Sequence, residues 1–319
     1  MDLQNQSLVT EFTLSGLSHS HGAQVIFFVL FLALYLMTLS GNLLIMTAVH
    51  ADLRLRSPMY FFLSNLSFLD MCYSTVTIPK MLVNVFSNQK TISFNQCILQ
   101  LFFLHLFGGT ECFLLTAMAY DRYVAICNPH HYVAICSPLK YHIVINFKFC
   151  CCLVACTWLA GFFHSFTQAF LTYQLSFCGP NKINHFFCDI HLVAVLGCSD
   201  TFFIDKFIIA NSGVFSLMNF VVLLFSYLSI ITTILKIYSS EGRRKEFSTC
   251  AAHLLVITFF LGPAVFIYLR PPVNNAADKL VSVLYTVLTP LLNPIIYTLR
   301  NQEVKNAKTI WKIFGNLSS

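Results

Sequence analysis

The sequence predicts an all-α membrane protein: a seven-transmembrane helix bundle with its N-terminus outside and its C-terminus inside. Three observations carry that prediction. Of 319 residues, 57% are hydrophobic and only 10% charged, whereas about a quarter of a typical soluble domain is charged. A helix needs about 20 apolar residues to cross a bilayer, and seven stretches reach that length. Lysine and arginine, finally, favour alternate connections between those stretches.

The seven spans are Ala23–Val49, Pro58–Leu82, Cys97–Val124, Ile143–Phe166, Phe202–Ile237, Phe247–Leu269 and Leu280–Leu299. The third and fifth carry some polar residues, which blurs their ends. No strand-period alternation with regular turns appears, which argues against a barrel. Residues 1–22 form a polar outer segment, 23–300 the transmembrane domain, and 301–319 an inner tail with a short amphipathic helix. The first 22 residues hold no Lys or Arg, so a cleavable signal with a basic leading region is not expected; the first span serves as its own insertion signal.

Orientation follows from the basic residues. Arg54 and Arg56 follow the first span; Arg122, Lys140 and Lys148 the third; Lys236, Arg243, Arg244 and Lys245 the fifth; Arg300, Lys305, Lys308 and Lys312 the seventh. The net charge of +6 mostly reflects this inner bias, so lipid rather than nucleic acid is the expected partner of the charge. Asn5-Gln6-Ser7 is a glycosylation acceptor on the outer side. Asn65-Leu66-Ser67 lies within a span and Asn316-Leu317-Ser318 on the inner tail, so both are expected to be silent.

Of thirteen cysteines, Cys97, Cys178, Cys188 and Cys198 fall where oxidation is possible. An even set outside the membrane suggests two disulfides, and sequence alone allows three pairings. Cys150, Cys151, Cys152 and Cys156 look like a metal cluster, but consecutive helical residues point in different directions. Small apolar packing is the plainer role, and no metal is expected.

Ionisable groups inside a span are costly and mark function by default. Asp70 and Glu111 sit near mid-span, where two carboxylates could share a proton or hold a small cation such as sodium. The plainer reading is hydrogen bonding to Asn42 and Asn293. In the third span His105, Gly108, Gly109 and Cys112 share one face at i, i+3, i+4 and i+7. Ile208, Asn211, Ser212 and Phe215 match them in the fifth span, and Leu261, Ala264, Val265 and Tyr268 in the sixth. Together these stripes would line an apolar cavity with a few polar handles, the usual makeup of a small-molecule site. Each stripe taken alone reads as helix packing.

Several motifs then point one way: Gly41-Asn42; PMYFFLSNLSFLD at Pro58–Asp70; MAYDRYVAIC at Met118–Cys127; Ser226-Tyr227; RRKEFSTCAAH at Arg243–His253; and PLLNPIIYTLRN at Pro290–Asn301. Over almost its whole length the chain resembles an olfactory receptor, a rhodopsin-like G-protein-coupled receptor. The resemblance implies a Cys97–Cys188 bond tying the third helix to an outer loop, and a second loop bond, Cys178–Cys198. Asp121-Arg122-Tyr123 matches the family's G-protein contact, and Tyr227 and Tyr297 match tyrosines that rearrange on activation. It implies a plasma-membrane receptor for small volatile odorants that activates a heterotrimeric stimulatory G protein, raises cyclic AMP and performs no chemistry on its ligand. No cofactor is implied beyond the sodium that Asp70 and Glu111 could hold.

Three departures from the family pattern stand out. Leu261 occupies a position where many members carry an aromatic residue, which would make the pocket floor looser or more apolar. Glu246, in Lys245-Glu246-Phe247, places an acid near the inner end of the sixth span, where it could pair with Arg122 and hold the resting state; a solvated surface glutamate is the plainer reading. The third is a stutter. YVAIC appears at Tyr123–Cys127 and again at Tyr132–Cys136, each followed one residue later by proline. It reads as a nine-residue tandem duplication, and only the first copy follows Asp-Arg. Pro129 disfavours one continuous helix, so a bulged loop is expected where a G protein would dock; impaired coupling or trafficking is the sharper reading, and a tolerated loop insertion the plainer one.

Two other readings compete. A receptor for a non-volatile small ligand would share the motifs. A transporter or channel predicts paired internal repeats or broken mid-membrane helices, and only the short stutter is found. An enzyme is not expected, because no nucleophile–base set stands out.

Overall fold

The computed structural model describes residues 9–16, 21–87, 89–127, 145–177, 181–198, 202–268 and 276–300. The long helices are α1 (His21–Ala51), α2 (Pro58–Phe86), α3 (Phe94–Cys127), α4 (Phe147–Tyr173), α6 (Phe202–Ile234) and α7 (Ser240–Tyr268), with a short α5 (Ile190–Ala194) before α6. The last rod is composite: α8 (Ala276–Val283), a π turn at Leu284–Leu288, and α9 (Thr289–Arg300). Among the described residues six spans are long and apolar enough to cross a membrane. The remaining rod, α2, is as long as its neighbours but carries Ser64, Ser67, Asp70, Ser74 and Thr77, all buried inside the bundle. Its polarity faces protein, so the expected second span stands despite its lower hydropathy. Lipid-facing positions such as Ile26, Val29, Phe163 and Phe225 are apolar and exposed.

Local chemistry explains several helix ends. Asn146 caps α4 by accepting from Phe149 N–H at 2.9 Å. Pro58 opens α2 at a first-turn position where no intrahelical donor is lost. Interior prolines have the opposite effect, since each leaves the carbonyl four residues earlier without its donor. Pro294 orphans the Pro290 carbonyl, and Asn42 Nδ2 from α1 donates to it at 3.0 Å. Pro263 orphans the Phe259 carbonyl, and Thr289 Oγ1 donates to it at 3.1 Å. A neighbouring span thus supplies the missing donor in both cases. α1 can approach closely because Gly41 has no Cβ: one placed there would lie 3.3 Å from Pro294 Cγ.

α3 and α4 also meet closely. A Cβ on Gly161 would lie 2.9 Å from Thr110 N and 3.2 Å from Leu106 O, and would collide with Thr110 Oγ1. Ser165 reinforces the contact by donating its hydroxyl to the Phe102 carbonyl.

One end of the bundle carries a cap that the sequence reading did not foresee. Residues 1–22 were expected to be only a polar segment, yet β1 (Glu11–Leu14) is the middle strand of a three-stranded sheet. It pairs antiparallel with β2 (Thr91–Ser93) and parallel with β3 (Lys182–Ile183). Phe12 and Leu14 bury fully beneath it, beside Phe186, Phe187 and Ile190. Lys279 of α8 ties this cap to the last rod, donating to the Gly16 carbonyl at 3.1 Å and to Asn184 Oδ1 at 2.7 Å. Cys97, in the first turn of α3, is disulfide-bonded to Cys188 with Cα atoms 5.6 Å apart. Cys198 is disulfide-bonded as well; Cys178, its expected partner, lies outside the described residues. So do Asn5, the duplicated segment 128–136 and the tail 301–319.

Candidate functional site

A cavity of about 50 Å³ lies within the half of the bundle nearer the sheet. Tyr73 of α2 forms one wall, with Leu104, His105, Gly108, Gly109 and Cys112 of α3. Ser212, Phe215 and Ser216 of α6 face them, and Phe260, Ala264 and Tyr285 close the α7 side and the last rod. His164 of α4 completes the ring, stacked on Phe215 at a centroid distance of 4.1 Å and edge-on to His105 at 5.8 Å. Behind it, fully buried Gln168 donates Nε2 to Ser212 Oγ at 2.9 Å, while its Oε1 has no hydrogen-bond partner among the described residues. The lining is therefore mostly apolar and aromatic, with two imidazoles and the hydroxyls of Tyr73, Ser212, Ser216 and Tyr285 as polar handles.

The expected stripes meet this cavity unequally. His105, Gly108, Gly109 and Cys112 all line it, with Ser212, Phe215 and Ala264. Ile208 and Leu261 are instead fully buried in packing between helices, and Asn211 and Val265, both half-buried, are not on the wall. The Tyr268 side chain lies outside the described residues. On α7 the wall is Phe260 and Ala264, one i,i+4 row rotated from the expected face. An aromatic group thus does face the cavity, one position before Leu261. Gly108 and Gly109 also leave less empty space than expected. A Cβ on Gly108 would lie 3.2 Å from the Tyr73 ring, and one on Gly109 3.5 Å from His164.

Deeper in the bundle, Asn293 donates to both Asp70 oxygens, at 2.9 and 3.0 Å. Glu111 lies close enough to interact electrostatically with Asp70, yet neither of its fully buried oxygens has a hydrogen bond of good geometry among the described residues. The structure thus brings both expected carboxylates together with Asn293, whereas Asn42 is turned to the Pro290 carbonyl.

At the end opposite the sheet, Tyr227 and His253 are hydrogen-bonded across α6 and α7. The Arg122 guanidinium lies near enough to act on both, and on Tyr297. Asp121 is buried, Arg122 half-buried and Tyr123 exposed. The Arg122–Glu246 pair, the less plain of the two readings of Glu246, does not form: Arg54–Asp52, at 2.7 Å, is the only ion pair among the described residues. Arg122 is drawn inward to His253, and Glu246 lies seven residues, or about 10 Å of helix, nearer the start of α7.

The comparisons with known proteins agree with this arrangement. The family model for olfactory receptors matches residues 31–316. The chain belongs to the olfactory receptor family. This receptor is 53% identical to human olfactory receptor 4Q2 over 314 residues, covering 98% of this chain and 96% of that protein. It is 52% identical to olfactory receptor 4E2 of human and of mouse over 307 residues, covering 96% of this chain and 95% and 96% of theirs. It is thus a G-protein-coupled receptor of the plasma membrane, not an enzyme.

The sequence of this olfactory receptor did not single out six wall residues: Leu104, Ser216 and Phe260 neighbour the stripes it did mark on α3, α6 and α7, whereas Tyr73, His164 and Tyr285 come from other helices. Each of the last three stands alone on its helix face. Only the placement of α2, α4 and the last rod around α3 turns them toward a shared space. Tyr285 depends further on the π turn, a local widening often found at functional sites.

Proposed function

We propose that this receptor binds small, mostly apolar odorants in the Tyr73–Phe260 cavity and activates a stimulatory G protein that raises cyclic AMP. The cavity carries this reading, because its apolar wall with few polar handles suits one hydrogen-bonding group on a hydrocarbon body. Its volume is well below the roughly 300–1,000 Å³ of most ligand pockets, so binding requires Phe215 or Phe260 to swing aside. In this reading the sheet faces outward and the Arg122 end faces the cytosol, as the bias of Lys and Arg requires.

The Asp70, Glu111 and Asn293 cluster supports a second element. The residues fit a small monovalent cation such as sodium, since Glu111 offers two buried oxygens without donors beside a second carboxylate. The shared-proton form is the alternative occupant of the same place. The duplicated segment Asn128–Cys136 is proposed to impair coupling or surface display.

The test is odorant-evoked cyclic AMP in surface-labelled cells, using a panel of small apolar volatiles. The parent and a version lacking Asn128–Cys136 are compared, each with and without Ala264→Phe. A response that Ala264→Phe abolishes at unchanged surface label supports the cavity. A response that survives this filled cavity overturns it, and an ion current without cyclic AMP would favour a channel.

A further inference from the structure

The largest cavity among the described pockets is not the one above. It is a groove of about 910 Å³ between α1, α2 and the start of α4, at the end opposite the sheet. Its two ends differ in chemistry. Arg56, Ser57 and His50 stand at the mouth, while Met46, Phe61 and Phe68 line the inner part, with Ser64 and Asn65 between the two phenylalanines. Phe68 lies ten residues into α2 from Pro58, about 15 Å along the helix. The groove therefore runs from a polar rim into a depth where hydrocarbon belongs.

The rim is electropositive for several reasons. Arg54 is neutralised by Asp52 at 2.7 Å, whereas Arg56 is exposed and has no ion pair among the described residues. Both α2 and α4 begin at the rim, adding the positive ends of two helix dipoles, partly offset by the negative end of α1, which finishes there at Ala51. The Ser57 side chain makes no capping hydrogen bond to α2. Below the rim, Phe61 and Phe147 form an aromatic pair at 5.2 Å, and the 68% exposed Phe147 ring has an apolar face to offer.

We propose that this groove binds an acidic phospholipid of the cytoplasmic leaflet, its phosphate and carboxylate at Arg56 and one acyl chain along Phe61 and Phe68. The proposal rests on the orientation adopted above, which places the rim at the inner membrane surface. The volume is of ligand size, and acidic lipids are the anions concentrated at that surface. Charge on the rim and hydrocarbon in the depth select an amphiphile over a soluble anion.

The test uses the full chain in nanodiscs of phosphatidylcholine, with or without phosphatidylserine. Phosphatidylserine retained through detergent washing is read by mass spectrometry, and the thermal midpoint gives a second measurement. Parent receptor should retain phosphatidylserine over phosphatidylcholine, and Arg56→Gln should lower that retention about fivefold, the effect of one basic group near such a surface. Arg243→Gln, a charge on another segment, should leave retention unchanged. Equal retention by parent and Arg56→Gln overturns the proposal, as does an equal loss in Arg243→Gln or preferential retention of sterol. The readout needs no odorant response, so failure of the cavity reading is separable; labelling that placed the Arg56 end outside would defeat the orientation instead.

Discussion

Asn42 Nδ2 donates to the Pro290 carbonyl at 3.0 Å, supplying the hydrogen bond that Pro294 cannot make. Asn42 is fully buried, so Asn42→Leu leaves a carbonyl without a donor in a place water does not reach. A buried unsatisfied group costs about 1–3 kcal/mol. The expected outcome is a lower thermal midpoint of the purified receptor and reduced surface display. Thr289→Val, which removes the donor to the Phe259 carbonyl, should behave alike. An unchanged midpoint in both variants would show that the orphaned carbonyls find other partners.

Gly161→Ala tests how closely α3 and α4 approach. The added methyl meets the Thr110 backbone nitrogen at 2.9 Å, and backbone yields less readily than a side-chain tip. Overpacking of this kind costs about 1–3 kcal/mol. Thr110→Ala in the same chain should recover only part of the loss, since it removes the hydroxyl but leaves the backbone contact. Full recovery would mean that the hydroxyl alone sets the spacing.

The Tyr227–His253 bond predicts non-additivity. Tyr227→Phe and His253→Ala should each lower the thermal midpoint, and the double variant should lose less than the two together, because one bond is removed by either change. Additive losses would indicate that the two side chains act separately.

The loop at residues 181–198, beside the sheet, should loosen in acid. Burial depresses His185 to about 3, helped by the nearby Lys279 charge, and His191 to about 4. Both stay neutral in the fold while the unfolded loop takes up protons below about 6.5, so each histidine withdraws stability as pH falls from there toward its folded value. The slope is roughly 1.4 kcal/mol per pH unit for each. Asp189 opposes this: burial raises it to about 6, so its contribution is present at low pH and is lost as pH rises through 6. Two histidines outweigh one carboxylate. The protection of amides at residues 190–194, taken relative to intrinsic exchange at each pH, should therefore fall between pH 6.5 and 4, and more steeply in Asp189→Asn. Exchange protection that is flat over that range would contradict the burial of these rings.

Much of this architecture was legible in the residues, for reasons that also mark the limits. Spans such as Ala23–Val49 announce themselves because bilayer thickness sets a minimum apolar length. The polar stripe of α2 hid nothing, since Pro58–Leu82 still has spanning length and carries its own motif at Pro58–Asp70. The strand at Glu11–Leu14 was not legible: four residues are too few to show an alternation, and their partners lie near residues 91 and 182. On α3 the glycines and His105 that punctuate one face in the sequence do line the cavity. The α7 face was misplaced by about one position, because a periodic pattern fixes which residues share a face but not how that face is turned. Arg122 lies within reach of Tyr227, His253 and Tyr297, a placement that charge pattern alone does not indicate.

The position of β1 between two later strands has a consequence for biosynthesis. A nascent chain emerges from its N-terminus, yet this strand meets β2 only after α1 and α2 have been made, and β3 only after α3 and α4. The lid over the bundle is thus completed late, once the Cys188 segment has been made and can reach Cys97. Until then Phe12 and Leu14 remain uncovered. A quality-control factor that senses unpaired strands or free thiols on that side could distinguish a finished receptor from one stalled midway.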